Sequence, residues 1–444
     1  MDNLSERAES LVQIIQEEEF LPFVQNSCRE IFKIHNSFRL VIEDGKVLTR
    51  KFYSHLVQAA DGLESFLDEH GARENKRWAH FAEYIASIRN LSISAFYIRH
   101  LLDRYPFYNL KESEADRQIF YDESQKTLEF LNNSILNLFF ESLSEGKKNG
   151  LQISEDEVNP DEFPEVQRNK QLPKNYEEDQ AKGEEERVID WCEKVKRVAR
   201  MIREVNIGKV EDPNILKKAV PGSINEETAR MYANLIHNVQ SDFDSYIKNT
   251  RIADSHPQLK NIRGYISVAL HLQEIVLWLT HFYERHEDGI RKSTVKSRIS
   301  KVVDKNILLS CVLNYAFYFS LDYIQKGEAL SIQTLTEAME IVSYELPIPK
   351  PHGFHARPST YLSLIAREHN KDVYLVVDDE KYNVKSVMSL LQAGGVIADK
   401  GYQVIRFEGD KRTLGDIRVL AESNYCENMK IPPQLSYLQN LNKV

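Results

Sequence analysis

P-H-G-F-H-A-R-P, residues 351–358, followed by S-T-Y-L-S-L-I-A-R-E, residues 359–368, is the stretch whose reading decides the C-terminal fold. Gly353 permits a tight turn. Pro358 falls in a first helical turn, where its missing N–H costs nothing. The apolar set Tyr361, Leu362, Leu364 and Ile365 predicts a helix over 355–368. His355 then stands at the helix N-terminus, facing free backbone N–H groups and the positive end of the dipole. An anion carried on its ring would be held there. Arg357 adds a permanent charge whose fork of donors suits phosphate oxygens. A neutral imidazole is nucleophilic near pH 7, and the N–P bond it forms is readily passed on. The same helix end disfavours the imidazolium and keeps more of the nucleophilic form.

Around this loop the pattern is that of a small sheet. S-Y-E-L-P-I-P (343–349) alternates like a strand, 373–377 is strand-like, 378–381 reads as a turn and 381–384 as a short strand. Residues 386–393 predict a short helix closed by Gly394-Gly395, residues 402–407 a strand and 411–423 a last helix. The order β-α-β-β-α-β-α predicts an antiparallel sheet with helices on one face. The tail beyond Tyr425, with Pro432-Pro433, is expected to be extended or packed on another domain.

G-x-H-x-R-P resembles the active-site loop of HPr, the histidine phosphocarrier of the bacterial sugar phosphotransferase system. About thirty residues later, V-K-S-V-M-S-L-L-Q-A-G-G (384–395) is similar to the second-helix segment of HPr, and K-G-Y-Q-V-I-R-F-E-G-D (400–410) resembles its last strand and exit turn. The resemblance covers about residues 343–425. It implies that His355 is the phosphorylated histidine and Arg357 the arginine that stabilises the phosphate, in a loop completed by Gly353, Ala356 and Pro358. It further implies a regulatory phosphorylation at Ser386, preceded by Lys385, and a docking face of Val387, Met388 and Leu391 extended by Phe354. Its partners would be an enzyme I type donor, an acceptor or regulated protein, and an HPr kinase. Three departures stand out. His352 replaces a residue that is often small and polar, Ser359 replaces a small apolar one, and the domain follows about 340 residues of helix instead of being free.

That preceding region carries helical stripes. One runs through Phe81, Tyr84, Ile85, Ile88, Leu91, Phe96 and Leu102; another through Leu128, Leu131, Ile135, Leu138 and Leu143, ending at Gly146. Residues 151–186 are charged, proline-containing and poor in aliphatics, which predicts a linker or solvated loop pinned at most by Phe163 or Tyr176. Helical patterning then resumes and echoes the first part at an offset of about 180: L-E-S-F-L (63–67) and F-D-S-Y-I (243–247), Tyr84-Ile85 and Tyr265-Ile266, His100/Arg104 and His281/Arg285, Gly146 and Gly327. A duplicated helical bundle is the expectation, against amphipathic helices that resemble each other by period alone. Each His/Arg pair is spaced i, i+4 and shares a helix face, so the pairs are either packing or solvated pairs or two equivalent anion or ligand sites.

The 444 residues carry a formal net charge of −10, which argues against nucleic acid as the main partner. The four cysteines have no close cysteine neighbour, so no zinc spacing appears, and no metal or cofactor is expected. No apolar run is read as reaching the roughly 18 residues of a membrane span. No signal peptide is read at the start, so a cytoplasmic protein is expected. No Walker loop, dinucleotide fingerprint, zincin motif or nucleophile elbow occurs. The expected architecture is multidomain α plus α/β: helical bundles over 1–150 and 187–342 separated by 151–186, an HPr-like domain over 343–425 and a tail over 426–444. The leading functional expectation is a phosphoryl acceptor at His355 that regulates through the helical region. The alternatives are an interaction or scaffold protein using the HPr-like fold as a docking module, and a helical enzyme with a regulatory tail. Oligomeric state is left open.

Overall fold

The computed structural model describes residues 14–164, 172, 184–286, 298–337, 341–369, 371–378, 380–427 and 430–438. The chain divides into two compact units, Met1–Ile332 and Gln333–Val444.

The first unit is helical. Its first stretch comprises α1 (Glu17–Ser27), α2 (Arg29–Glu43), α3 (Arg50–Glu69), α4 (Ala79–Arg104) and α5 (Glu114–Lys148). Its second comprises α6 (Glu184–Arg203), α7 (Pro213–Ala219), α8 (Glu226–Tyr246), α9 (Arg251–Ser255) and α10 (Pro257–His286). Then α11 (Lys305–Ser310) runs through a π-turn, Cys311–Phe317, into α12 (Tyr318–Glu337), whose residues from Gln333 onward belong to the second unit. Local chemistry sets the starts. Thr49, Ser113 and Asn225 cap α3, α5 and α8 by accepting from the N3 N–H, and Asp304 caps α11.

The expected stripes are buried. Phe81, Tyr84, Ile85, Ile88, Leu91 and Leu102 lie inside, as do Leu128, Leu131, Ile135 and Leu138, while Phe96 and Leu143 are partly exposed. Helix α4 is apolar nearly all round because it packs on α3, α5 and α10. The echo in sequence is an echo in packing: α3 lies against α4 as α8 lies against α10. Both stretches share the one unit. The Tyr105 and Tyr323 hydroxyls hydrogen-bond at 2.6 Å, and Tyr315 donates to Ser124 at 2.9 Å. Helix α5 passes Gly146 to end at Lys148, and Leu151 N–H caps back onto the Gly146 carbonyl at 2.9 Å.

Residues 151–164 are not a free linker. Their backbone is strapped to α1–α3 by Gln25 on Gln152, Asn36 on Ser154 and Asp156, Ser37 on Val158, and Thr49 on Phe163. The Phe163 ring meets Phe52 and His55, as expected of a pin; Tyr176 lies outside the described residues.

Among the described residues one run, Lys305–Thr336, is long and apolar enough to cross a membrane, with mean hydropathy 1.4. This corrects the sequence reading. The run's apolar window is 67% buried inside the protein, which is how a core helix also behaves.

The second unit holds β1 (Ile341–Pro347), α13 (Ala356–Glu368), β2 (Val373–Val377), β3 (Glu380–Asn383), α14 (Val387–Lys400), β4 (Val404–Asp410) and α15 (Lys411–Glu422). The sheet order is β1-β4-β2-β3, all antiparallel, with Leu375 opposite both Phe407 and Tyr382. Helices α14 and α15 pack on the sheet and α13 on both of them. Their core includes Leu362, Ile365, Leu375, Leu390, Ile397, Phe407, Leu414 and Ile417. The tail joins the same core: Leu435 and Leu438 are fully buried, and the Tyr437 hydroxyl donates to Asp416.

Candidate functional site

Helix α14 was expected to stop at Gly394-Gly395, but it runs on to Lys400 and ends on Gly401 with φ +71°. Gly394 serves a close approach instead. A Cβ there would lie 2.7 Å from the carbonyl oxygen of Phe354, so only glycine lets α14 touch the loop that carries the site. The Phe354 ring is buried between Phe407 and Tyr425 and fastens the loop to the sheet. Phe354 is therefore a core residue and not, as expected, an extension of a docking face.

The loop closes on itself. Gly353 adopts φ +65° and donates to Pro349 at 2.9 Å; His355 N–H donates to Gly353 at 2.9 Å. His355 then occupies the N-cap position of α13 with extended backbone, and its carbonyl accepts from Ser359 at 3.2 Å. Its side chain does not cap the helix, so the ring is available for other work. Pro358 at N3 removes one donor, which leaves the N–H groups of Ala356 and Arg357 as the polar face of the helix start. The His355 side chain is 38% exposed, and Arg357 is exposed beside it.

A residue that sequence reasoning missed completes the site. After α15, Asn424, Tyr425 and Cys426 all take positive φ, at 49°, 55° and 58°. Asn424 holds the backbone of Lys350 in both directions, at 2.9 and 2.7 Å. The Tyr425 hydroxyl, whose pKa burial pushes well above its ordinary value, donates to Pro347 at 2.8 Å. This left-handed turn delivers Glu427 to the histidine. Glu427 Oε1 lies 2.8 Å from His355 Nε2, at ion-pair distance without hydrogen-bond alignment, and Arg357 donates to the Glu427 carbonyl at 3.0 Å. The carboxylate side chain is only 8% exposed. Nothing in the local sequence marks Glu427, which follows the last recognisable motif by 17 residues, counted from Asp410.

The other expected residues fall as follows. His352 is exposed, its ring edge-on to His355 at 5.9 Å. Ser359 is fully buried, and its hydroxyl has no partner among the described residues. Ser386 is the N-cap of α14, accepting from Ser389 N–H at 3.3 Å. Lys385 pairs with Asp372 at 2.9 Å, and its carbonyl accepts from Ser363 and Arg367 of α13. Met388 is 66% exposed, while Val387 and Leu391 are half-buried. Ser386 precedes Gly394 by eight residues, roughly 12 Å along the helix from the Phe354 contact. Among the described residues no cluster of three or more His, Cys, Asp or Glu could hold a metal. All four cysteines are buried thiols, and burial pushes that of Cys311 up to about 12.

Residues 342–410 match the family described as PTS HPr component phosphorylation site. The match spans the site loop, both flanking motifs and all four strands. The helical unit has no family match, and no curated protein or solved structure matches the chain. The C-terminal unit thus has an HPr-like phosphocarrier fold, whose partners in general are phosphotransferase-system proteins such as enzyme I. Arg357 and the first-turn N–H groups of α13 stand beside His355 within the matched segment, whereas residues 424–427 lie beyond it.

Proposed function

We propose that the HPr-like domain accepts a phosphoryl group on His355 from an enzyme I type donor, and that its phosphorylation state controls the helical part of the chain or a protein bound to it. The observation that carries this reading is the half-exposed His355 ring at the start of α13, next to Arg357 and outside any capping role. The nearness of Glu427 to Nε2 supports a division of labour between the ring nitrogens. A carboxylate at Nε2 favours the tautomer with its proton on that nitrogen, which leaves the lone pair on Nδ1. The Nδ1 lone pair forms the new N–P bond as the donor's N–P bond breaks, and the donor's imidazole departs with the electron pair of that bond. The resulting imidazolium at His355 then loses a proton or keeps it against Glu427. Arg357 and the first-turn N–H groups offset the charge on the phosphoryl oxygens. A regulatory use is favoured over shuttling because the domain is tethered behind a large helical unit.

A second reading has its own observation. The Glu427 carboxylate is already seated against His355, as a built-in anion would be in a domain that docks but no longer transfers. The experiment that separates them incubates the full chain with enzyme I, phosphoenolpyruvate and magnesium, beside His355→Ala and with free HPr as the positive control. One acid-labile, alkali-stable phosphoryl group on the native chain and none on the variant supports transfer. No label, with free HPr labelled normally, removes the carrier reading and leaves the docking module.

A further inference from the structure

We propose that the cavity among α3, α4, α8 and α10 of the helical unit is a binding site for a small phosphate ligand, held chiefly by Arg50 and Arg104. The cavity measures about 710 Å³, the size of a small-molecule site. Its wall carries five cationic side chains, Arg50, Arg104, Lys248, Lys260 and Arg263, against one carboxylate, Asp244. That carboxylate is taken by Arg263, and Lys260 pairs with Asp254 outside the cavity. Arg50 and Arg104 have no carboxylate within ion-pair distance among the described residues. Instead an Arg50 guanidinium nitrogen sits 2.9 Å from Nδ1 of His100. The His271 ring meets that of His100 edge-on at 4.4 Å, and its Nδ1 is buried with no hydrogen-bond partner among the described residues. Burial first, then His100, Arg263, Arg104 and Arg50, push the His271 imidazole down to about 3, so it is a neutral group available to a ligand. Lys248 also lies 3.7 Å from Asp244, which leaves Arg50 and Arg104 as the cations of this concave, partly desolvated wall with no carboxylate at ion-pair distance among the described residues, and they focus a positive potential into the cavity.

The second half of the same unit supplies the comparison. His281 and Arg285 repeat the i, i+4 spacing of His100 and Arg104 at the offset of about 180, at which Arg50 corresponds to Arg230 one turn into α8. There the acid is built in. Glu226 lies 2.9 Å from His281 Nδ1, 3.8 Å from Arg285 and 2.9 Å from Arg230. Although burial opposes it, Arg230, His281 and Arg285 hold the Glu226 carboxyl below its usual range. At the offset of about 180 Glu226 falls at Lys46, before α3, so the first half has no acid in that place, and the anion has to come from solution. Two arginine forks suit phosphate oxygens. Phe107, 58% exposed at the mouth, offers a ring face for an organic group on the phosphate. Gly264 keeps this mouth in place, because a side chain there would collide with the Tyr108 carbonyl.

The test is calorimetric titration of the full chain at constant ionic strength with inorganic phosphate, pyrophosphate and glucose 6-phosphate, beside Arg104→Gln and Arg50→Glu. The native chain is expected to bind at least one probe saturably, with at least tenfold weaker binding by R104Q and none by R50E. R50E removes one cation and puts a carboxylate on the helix start that faces His100, so its Tm without ligand is expected to equal or exceed that of the native chain. Preference for glucose 6-phosphate over inorganic phosphate identifies a phosphorylated metabolite as the occupant; equal affinity identifies free phosphate. Absence of saturable binding by the native chain to all three probes, or binding that both variants retain, overturns the proposal.

Discussion

Adding one methyl group to α14 at Gly394 should loosen the loop that carries His355, whereas adding it at the next residue should not. An ideal Cβ on Gly394 falls 2.7 Å from the Phe354 carbonyl oxygen and 3.2 Å from the Phe354 Cβ, where ordinary contacts begin at 3.4 Å. A Cβ on Gly395 meets nothing within 4 Å. Both substitutions gain the same helix propensity, about 1 kcal/mol for Gly to Ala inside a helix. The difference between Gly394→Ala and Gly395→Ala therefore isolates the contact. Pushing a packed backbone carbonyl back by several tenths of an ångström costs about 1–3 kcal/mol. At about 1.4 kcal/mol per factor of ten, G394A should weaken local protection by about five- to a hundredfold relative to G395A. The readout has to be local. All three tryptophans, Trp78, Trp191 and Trp278, lie in the helical unit, so their fluorescence is silent about this site. Amide hydrogen exchange followed by mass spectrometry on peptides covering 353–359 reads the loop directly, through the Gly353, His355 and Ser359 hydrogen bonds. Phosphoryl transfer to His355 should fall in parallel in G394A, since displacement of a reacting group by less than 1 Å already slows reactions severely. Equal exchange in the two variants would refute the idea that Gly394 exists for this approach.

Three further outcomes are expected. Arg357→Ala should slow phosphorylation of His355 on the order of a hundredfold without lowering the melting temperature, because the exposed side chain's only described hydrogen bond is to the Glu427 carbonyl; quench-flow labelling with enzyme I checks the first part and calorimetry the second. Glu427→Ala should slow transfer on the order of tenfold by releasing the tautomer of His355, whereas faster labelling would mark Glu427 as a plug and favour the docking reading. The helical unit should lose stability as pH falls from about 6.5 toward 3. His271 has a folded-state pKa pressed down to about 3 by burial and by His100, Arg263, Arg104 and Arg50, so the unfolded chain binds the extra proton in that window. The loss should be on the order of a few kcal/mol and should shrink in His271→Gln, read by urea unfolding on tryptophan fluorescence; an unchanged pH slope would show that His271 is not its source.

Much of this protein was legible from short-range chemistry. The β-α-β-β-α-β-α order, His355 at a helix start, Arg357 beside it, Ser386 as an N-cap and the stripes of α4 and α5 all follow from residue spacing, turn residues and caps. These are interactions over three or four positions, which a sequence displays directly. The three-motif likeness to HPr likewise held over residues 342–410.

What the sequence could not display were choices between partners distant in the chain. Gly394-Gly395 looks like a helix stop because glycine serves both as a terminator and as a place of close approach; only the position of Phe354 decides between them. Phe354 itself reads equally well as docking surface or core until Phe407 and Tyr425 close on it. Glu427 becomes a site residue solely because three left-handed residues turn the chain back onto His355. Arg50 and Glu226 open two similar helices with opposite charge, and the sequence shows them only as helix starts. The tertiary structure sets Glu226 against His281 and Arg285 and Arg50 against His100, and it leaves Arg104 with no carboxylate at ion-pair distance among the described residues. Burial and electrostatics depend on everything within several ångströms, whatever its place in the chain, so these features were decided by the packed structure alone.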